Sequence, residues 1–346
     1  MTAIIIRPLA QSNMTTKIHS VCVIGGGSAG TMAVLRTILN NDDCLFFPGT
    51  PKDKKRSRAL WVRKVENVPA HLNYKKGIEE PNAQTLSWIE ESEFKSKLTW
   101  MKNIGVVSLK KNEENVFEIT DSQSRIHYAH FVILCTGVMD VQPKIQGEIE
   151  AVFDYANAQT IDYCLICDGH HVLGKKTVVI GNENSAAWVA IMLYERYLPP
   201  SMTILTNGEL PQFQADTQNL IKLYNIDVRQ APIKEILGEE KGKILKGFRL
   251  ADDSLVDCDL GFVALGMIVY NELAKSLGAD LDERGFVKCD EAGMSSVAGL
   301  YVAGDLKANT RKQIYTAWDN AVTAATAVNL KLRVARRAKL LNQEPE

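Results

Sequence analysis

Nowhere in its 346 residues does the chain hold an apolar run approaching the roughly 20 residues that cross a bilayer. The opening stretch MTAIIIRPLAQSNMTTKIHS has only a short apolar patch, interrupted by Arg7 and Pro8, too little for the core of a signal peptide. Net charge is lacking too. Forty Lys and Arg against 41 Asp and Glu leave −1, which gives no electrostatic reason to expect a nucleic acid or an anionic membrane as partner. No low-complexity tract is present, and a charged fraction of 23% beside an apolar fraction of 46% is that of a soluble globular chain. A cytoplasmic protein is expected. Its length exceeds one ordinary core and implies two domains.

Cysteine is sparse and mostly without pattern. Of seven, Cys22, Cys44, Cys135, Cys258 and Cys289 are scattered singly, unlike the dense, even framework of a secreted disulfide protein. Cys22 and Cys135 sit in apolar runs that read as strands, where a free cysteine serves as a small buried hydrophobe. The exception is YCLICDGHH (163–171), which sets Cys164 and Cys167 three apart with Asp168 directly behind. Such a pair can hold a metal, exchange electrons as a disulfide, or fill space. A structural zinc usually needs four ligands, commonly two C-x-x-C pairs or a cysteine pair with a histidine pair at longer spacing. Here no second cysteine pair exists, and His170 and His171 are adjacent, only three residues beyond Cys167. No metal is expected.

What the chain does have is a repeated strand–turn–helix. SVCVIGGGSAGTMAVLRTIL (20–39) reads as a buried strand, a glycine turn and a helix, with Gly25, Gly27 and Gly30 on the G-x-G-x-x-G spacing. The first glycine permits a tight turn, the second lets backbone approach a pyrophosphate, and the third lets helix pack on strand. The helix N-terminus then offers unpaired N–H groups to the phosphates. About 155 residues later KKTVVIGNENSAAWVAIMLYERY (175–197) repeats the layout in degraded form. Gly181 keeps the turn and Ala186 the packing position, but Glu183 stands where backbone should meet pyrophosphate. HYAHFVILCTGVMDVQP (127–143) and AGLYVAGDLKA (298–308) read as further strands, closing on Thr136 with Gly137 and on Gly304 with Asp305. Strands alternating with helices throughout give an α/β class with largely parallel sheets. The basic tail NLKLRVARRAKLLNQEPE reads as helical, its charges a solvated face.

In this order, and with KVENVP (64–69) and RKQIYTA (311–317) added, these motifs resemble the low-molecular-weight thioredoxin reductase family of flavoproteins, from about residue 20 to about 330. The resemblance implies two Rossmann-like, three-layer nucleotide-binding domains and a homodimer. Residues 1–146 and 266–346 would form a discontinuous FAD domain, and 147–265 an inserted domain carrying the C-x-x-C. Carried over by position, Gly25, Gly27 and Gly30 would cradle the FAD pyrophosphate, with Ser28 and Ala29 as turn backbone. Asn67, Thr136 and Gly137 would lie near the flavin, Gly304 and Asp305 at its ribityl or phosphate region, and Gln313 and Ile314 at its pyrimidine edge. Cys167 would face the flavin, Cys164 would attack a thioredoxin-like or other disulfide partner, and Asp168 would shuttle the proton. The physical reading agrees: at a helix start the dipole draws a thiol towards the thiolate that exchange requires. A redox-active dithiol is the expectation.

The departures are as informative. Glu183 replaces the second glycine, Thr206, Asn207 and Gly208 stand where the family places a His-Arg-Arg run, and no arginine lies between Arg196 and Arg229. Losing two charge-assisted contacts to a 2′-phosphate forfeits roughly 3–6 kcal/mol. Like-charge repulsion from Glu183 adds about 1–4 kcal/mol. NADPH dependence is not expected. CLFFPGT (44–50) lacks a ribose-binding acid, and Arg56, Ser57, Arg58 and Ala59 replace a Gly-Gly-Gln-Leu stretch. WDNA (318–321) stands where the family usually has small residues and glycine. These departures resemble the diflavin-linked disulfide oxidoreductase branch. That resemblance implies a second FAD at Gly181, Asn184, Ser185 and Ala186. Trp188 inside the second unit, and Tyr315 and Trp318 near the first flavin's edge, could stack on an isoalloxazine ring or pack in the core. Reduction by NADH or by a ferredoxin is the alternative within the enzyme class, and a non-catalytic flavin redox sensor is the alternative outside it.

Overall fold

The structure, a computed structural model, describes residues 17–341; the N-terminal apolar patch and the last five residues of the basic tail lie outside the described residues. Two Rossmann-like domains make up the chain, each with a mainly parallel sheet between covering layers. The first is built on the strand Ile18–Ile24, whose Val21, Cys22, Val23 and Ile24 are all buried. A strand covered on both faces reads as a continuous apolar run instead of an alternating one, and VCVI is such a run. It pairs in parallel with Cys44–Phe47 on one side and Ile126–Leu134 on the other. The long Ile126–Leu134 strand is shared along its length: its first half takes Phe117–Asp121 antiparallel, its second half Leu300–Val302 in parallel. Helices Ser28–Leu39 and Ile314–Leu341 cover one face, packing Ala33, Val34, Ala321 and Ala324 against Val21 and Ile133.

The closing helix Ile314–Leu341 contains the described part of the basic tail, as its pattern implies. One tail charge does more than face solvent. Arg336 Nη2 lies 2.8 Å from Asp42 Oδ1, and Asp42 also accepts from Asn329 Nδ2 at 2.7 Å. Asp42 is buried, so the two bonds pin the helix to the loop before Cys44–Phe47.

The second domain has five parallel strands in the order Asp227–Arg229, Met202–Leu205, Thr177–Ile180, Leu260–Val263, Ile161–Asp162. The helix Asn184–Tyr197 follows Thr177–Ile180 and buries Ala186, Ala187, Ala190 and Ile191. A three-stranded antiparallel sheet, running from Ile233–Glu239 through Ile244–Leu250 to Leu255–Asp257, packs on the opposite face. The chain crosses between the domains twice. Val138–Asp140 leads out, Met267–Val269 leads back, and the two pair antiparallel as a short ribbon. Among the described residues, no helix is long and apolar enough to cross a membrane.

Candidate active site

At the first turn, two glycines are dictated by crowding and one by emptiness. A Cβ on Gly25, whose φ is +113°, would lie 2.2 Å from the Cys135 carbonyl oxygen, and one on Gly30 would lie 1.7 Å from that of Gly25. A Cβ on Gly27 would meet nothing within 4 Å. The helix Ser28–Leu39 starts there with no side-chain cap, so its first N–H groups have no intrahelical partner and its positive end faces open space. This is a cradle for a pyrophosphate, and the residues fit the FAD that the fingerprint implies. Behind it, a Cβ on Gly304 would come within 2.8 Å of the Ala29 Cβ, so the glycine permits the strand Leu300–Val302 to end against the helix.

The cradle opens into a cavity of about 920 Å³, whose lining includes Ser28, Ala29, Thr136, Gly137, Asp305 and Ile314, and both Cys164 and Cys167. The two cysteines form a disulfide. Cys164 caps the single helical turn Leu165–Asp168, its Sγ accepting from the Cys167 N–H at 3.1 Å. The anticipated helix start is present, yet one turn aligns too few peptides for the dipole effect invoked above. Gln313 is buried against the disulfide: its Nε2 lies 3.3 Å from Cys167 Sγ and 3.5 Å from Cys164 Sγ. Asn67 Nδ2 donates to Gln313 Oε1 at 2.6 Å, which turns the amide NH₂ towards the sulfurs. The amide expected at the ring edge therefore faces the disulfide in this structure, and Asn67 orients it. The Thr136 hydroxyl donates to the Tyr270 carbonyl at 2.6 Å, tying the first domain's turn to the returning crossover.

Asp168 is buried directly behind the disulfide, and burial pushes its carboxyl up to about 7, with the charge of Asp162 adding to the rise. Next to it lies a cluster that no local pattern in the chain announces. Asp162 Oδ2 lies 2.8 Å from His171 Nδ1. Glu66 Oε2 lies 2.7 Å from His170 Nε2 and 3.0 Å from His171 Nε2. The Asp162 hydrogen bond holds His171 high, at about 9, with Glu66 contributing. Arg58 is the other residue missed as part of the site. Its Nε lies 2.7 Å from Asp140 Oδ2 and its Nη1 3.3 Å from Asp305 Oδ2, in the cavity wall. A charged side chain replacing the family's glutamine was the signal available. Asp53 also lines the cavity, but its carboxylate closes a capping box on Thr50, so it does not stand in for the missing ribose acid.

The residues expected to hold a second nucleotide are arranged differently. Gly181 is crowded, its would-be Cβ 2.7 Å from both the Ala264 carbonyl oxygen and the Ala186 Cβ. Asn184 Oδ1 accepts from the Gln214 N–H at 2.9 Å and the Thr217 hydroxyl at 2.6 Å, while its Nδ2 donates to Gln214 Oε1 at 3.1 Å. The Gln212 N–H donates to the Asn182 carbonyl at 2.7 Å, laying the chain's own segment along the turn. Glu183 is the exposed N-cap and Ser185 is exposed beside it. Trp188 and Tyr315 are exposed, so core packing is the role of neither, and Trp318 packs on His71 with ring centroids 5.6 Å apart. Cys22, Cys44, Cys135 and Cys258 are buried free thiols, pushed up by burial, as hydrophobic fillers should be.

Residues 19–325 match the family described as pyridine nucleotide-disulphide oxidoreductase. The chain is 24% identical over 319 residues to the thioredoxin reductase of Mycoplasmopsis pulmonis, covering 92% of this chain and 98% of that one. It is 30% identical over 207 residues to the thioredoxin reductase of Mycoplasma genitalium, a match spanning 58% of this chain and 63% of the relative. The thioredoxin reductase structure from Streptococcus pyogenes superposes with a TM-score of 0.77 at 19% identity, over 92% of this chain and all of that one, which is a likeness of fold. The chain belongs to the pyridine nucleotide-disulphide oxidoreductases, and among them to the low-molecular-weight thioredoxin reductase family. It is an FAD-dependent disulfide oxidoreductase.

Proposed function

We propose that this enzyme passes electron pairs between one FAD, held by the first glycine turn, and the Cys164–Cys167 disulfide, and from there to or from a thioredoxin-like or other protein disulfide. One observation carries the reading: the disulfide and the pyrophosphate cradle line the same cavity. When bound, the flavin supplies two-electron exchange with the disulfide. The chain's own residues do the rest. Gln313, oriented by Asn67, contacts both sulfurs, and Asp168 behind them holds the proton that a departing or returning thiolate needs. Cys167 is the flavin-side sulfur in this reading, and Cys164 attacks the partner.

A folded partner cannot enter the cavity. Exchange with it therefore needs the disulfide-bearing domain to swing on the ribbon Val138–Asp140 and Met267–Val269; we take the domains as 1–146 with 266–346 and 147–265, a division this ribbon supports. NADPH is not the donor: Glu183 and the bonds of Asn184 to Gln214 and Thr217 support this, as does the absence of arginine from 197 to 228. The same bonds disfavour the second flavin implied by the diflavin branch, so cofactor release should give one FAD per chain; two would restore that branch. A cytoplasmic homodimer is the location and assembly that the family resemblance implies, and light scattering reads the assembly.

The deciding experiment is anaerobic. The flavin is reduced photochemically by one electron pair and thiols are counted. Reoxidation of the flavin with two new thiols is expected in the wild type and neither in Cys167→Ser. Full electron transfer out of the flavin in Cys167→Ser would sink the assignment.

A further inference from the structure

We propose that Glu66, His170 and His171 form a binding site for a borderline divalent metal ion of the Zn²⁺ class, at the joint between the two domains. The convergence is geometric. Nε2 of both imidazoles points at a single Glu66 oxygen, and all three ligand atoms lie within 4.8 Å of one another. A tetrahedral ion with bonds of about 2.0–2.1 Å to nitrogen sets its ligands about 3.4 Å apart, so each atom need shift by less than about 1 Å to admit it.

An independent feature supports the same use. Asp162, 3% exposed, lies 2.8 Å from His171 Nδ1. A carboxylate behind an imidazole keeps the proton on the near nitrogen, so when the ion displaces the proton on Nε2 to solvent the freed lone pair is a better ligand. Glu66 and His170 are exposed, which leaves a path for the ion and room for water as the fourth ligand. Two imidazoles and one carboxylate suit zinc-like ions, whereas magnesium and calcium call for oxygen throughout. The ligand count that excluded zinc at Cys164 and Cys167 omitted Glu66, which lies 104 residues from His170 in the chain.

Glu66 belongs to the flavin-side domain and the histidines to the disulfide-bearing one, so an ion here ties the domains together with the disulfide at the cavity. This consequence rests on the exchange cycle proposed above; the binding does not.

The test uses the oxidised, FAD-loaded chain, titrated with Zn²⁺ against a chromophoric chelator and with Co²⁺ followed by its ligand-field absorption. One equivalent per chain at micromolar affinity or tighter is expected, weakened at least tenfold in Glu66→Gln and in His170→Ala. Both substitutions are at exposed side chains, and retained flavin confirms the fold of each variant. Equal affinity in wild type and variants, or no binding by wild type at millimolar metal, overturns the site. Once bound, Zn²⁺ should slow delivery of electrons to a protein disulfide while leaving flavin-to-disulfide transfer intact; an undiminished rate with the ion in place overturns the tether. Failure of flavin-to-disulfide transfer without metal would instead count against the proposed function, with the titration unaffected.

Discussion

The two glycine turns of this chain are built on one plan and have opposite faces. At the first, the space beside Gly27 is empty and the helix start is uncapped. At the second, Glu183 occupies the matching position, and Asn184 bonds to Gln214 and Thr217 at the start of the helix. The crowded glycines are shared: Gly25 and Gly30 in one, Gly181 in the other, each pressed against backbone. What differs between the two turns is the second position and the polar groups around it. Tightness belongs to both.

The comparison breaks most severely at Gly30. A Cβ there meets the Gly25 carbonyl oxygen at 1.7 Å, so Gly30→Ala should exceed the usual overpacking penalty of about 1–3 kcal/mol and leave the protein without flavin. Gly181→Ala, with its 2.7 Å approaches, should stay inside that range and keep a full flavin complement. Thermal melting with flavin absorbance reads both, and a flavin-free Gly181→Ala would contradict the contrast. Gly27→Ala separates binding from folding. Its φ of −77° suits alanine and its surroundings are open, so stability of the apoprotein should hold while FAD affinity, titrated by flavin fluorescence, falls at least tenfold.

Acid should distinguish the domains as well. Asp121 in the first domain is buried, which pushes its carboxyl up, but hydrogen bonds from His127, Arg125 and the Gln123 N–H outweigh this and hold it below its ordinary value. A carboxyl held low in the folded state stabilises fully above the unfolded value of about 3.9, and that contribution is lost as pH falls towards the folded value. In the second domain the acids held low, Asp252 and Asp253, are fully exposed and contribute little. Asp121→Asn should therefore cost about 1–3 kcal/mol near neutral pH, and chemical denaturation should show the gap closing below about pH 4. The smallest effect is expected from Glu183→Gly. Removing one charge leaves the Asn184 bonds and supplies no arginine, so NADPH oxidation should remain negligible in a stopped-flow assay. Micromolar NADPH use by that single variant would refute the closed turn.

How much of this was legible in the sequence follows from the distance between partners. Buried parallel strands and glycines with crowded or positive-φ backbone leave their mark within ten residues, so both turns, the paired cysteines and the two-domain α/β class could be read in advance. Arg58 meets Asp140 at a separation of 82 residues and Asp305 at 247; Asn67 meets Gln313 at 246. No local pattern records such pairings, so the contact of the Gln313 amide with the two sulfurs could not be read from the chain. The second turn hides its partners for a related reason. Asn184 reads as a polar group left free for a ligand, and only the fold shows Gln214 and Thr217 bonding to it.

The ribbon of Val138–Asp140 with Met267–Val269 has a consequence for how the chain folds. The parallel pairing of Leu300 with Val132 would otherwise close a loop of 168 residues. With Val138 and Val269 already side by side, the effective loop shortens to roughly 37 residues, and the logarithmic closure penalty falls by about 1.3 kcal/mol. Three residue pairs thus let the discontinuous sheet assemble almost as though its halves were consecutive, with the intervening domain hanging from a pinched stem.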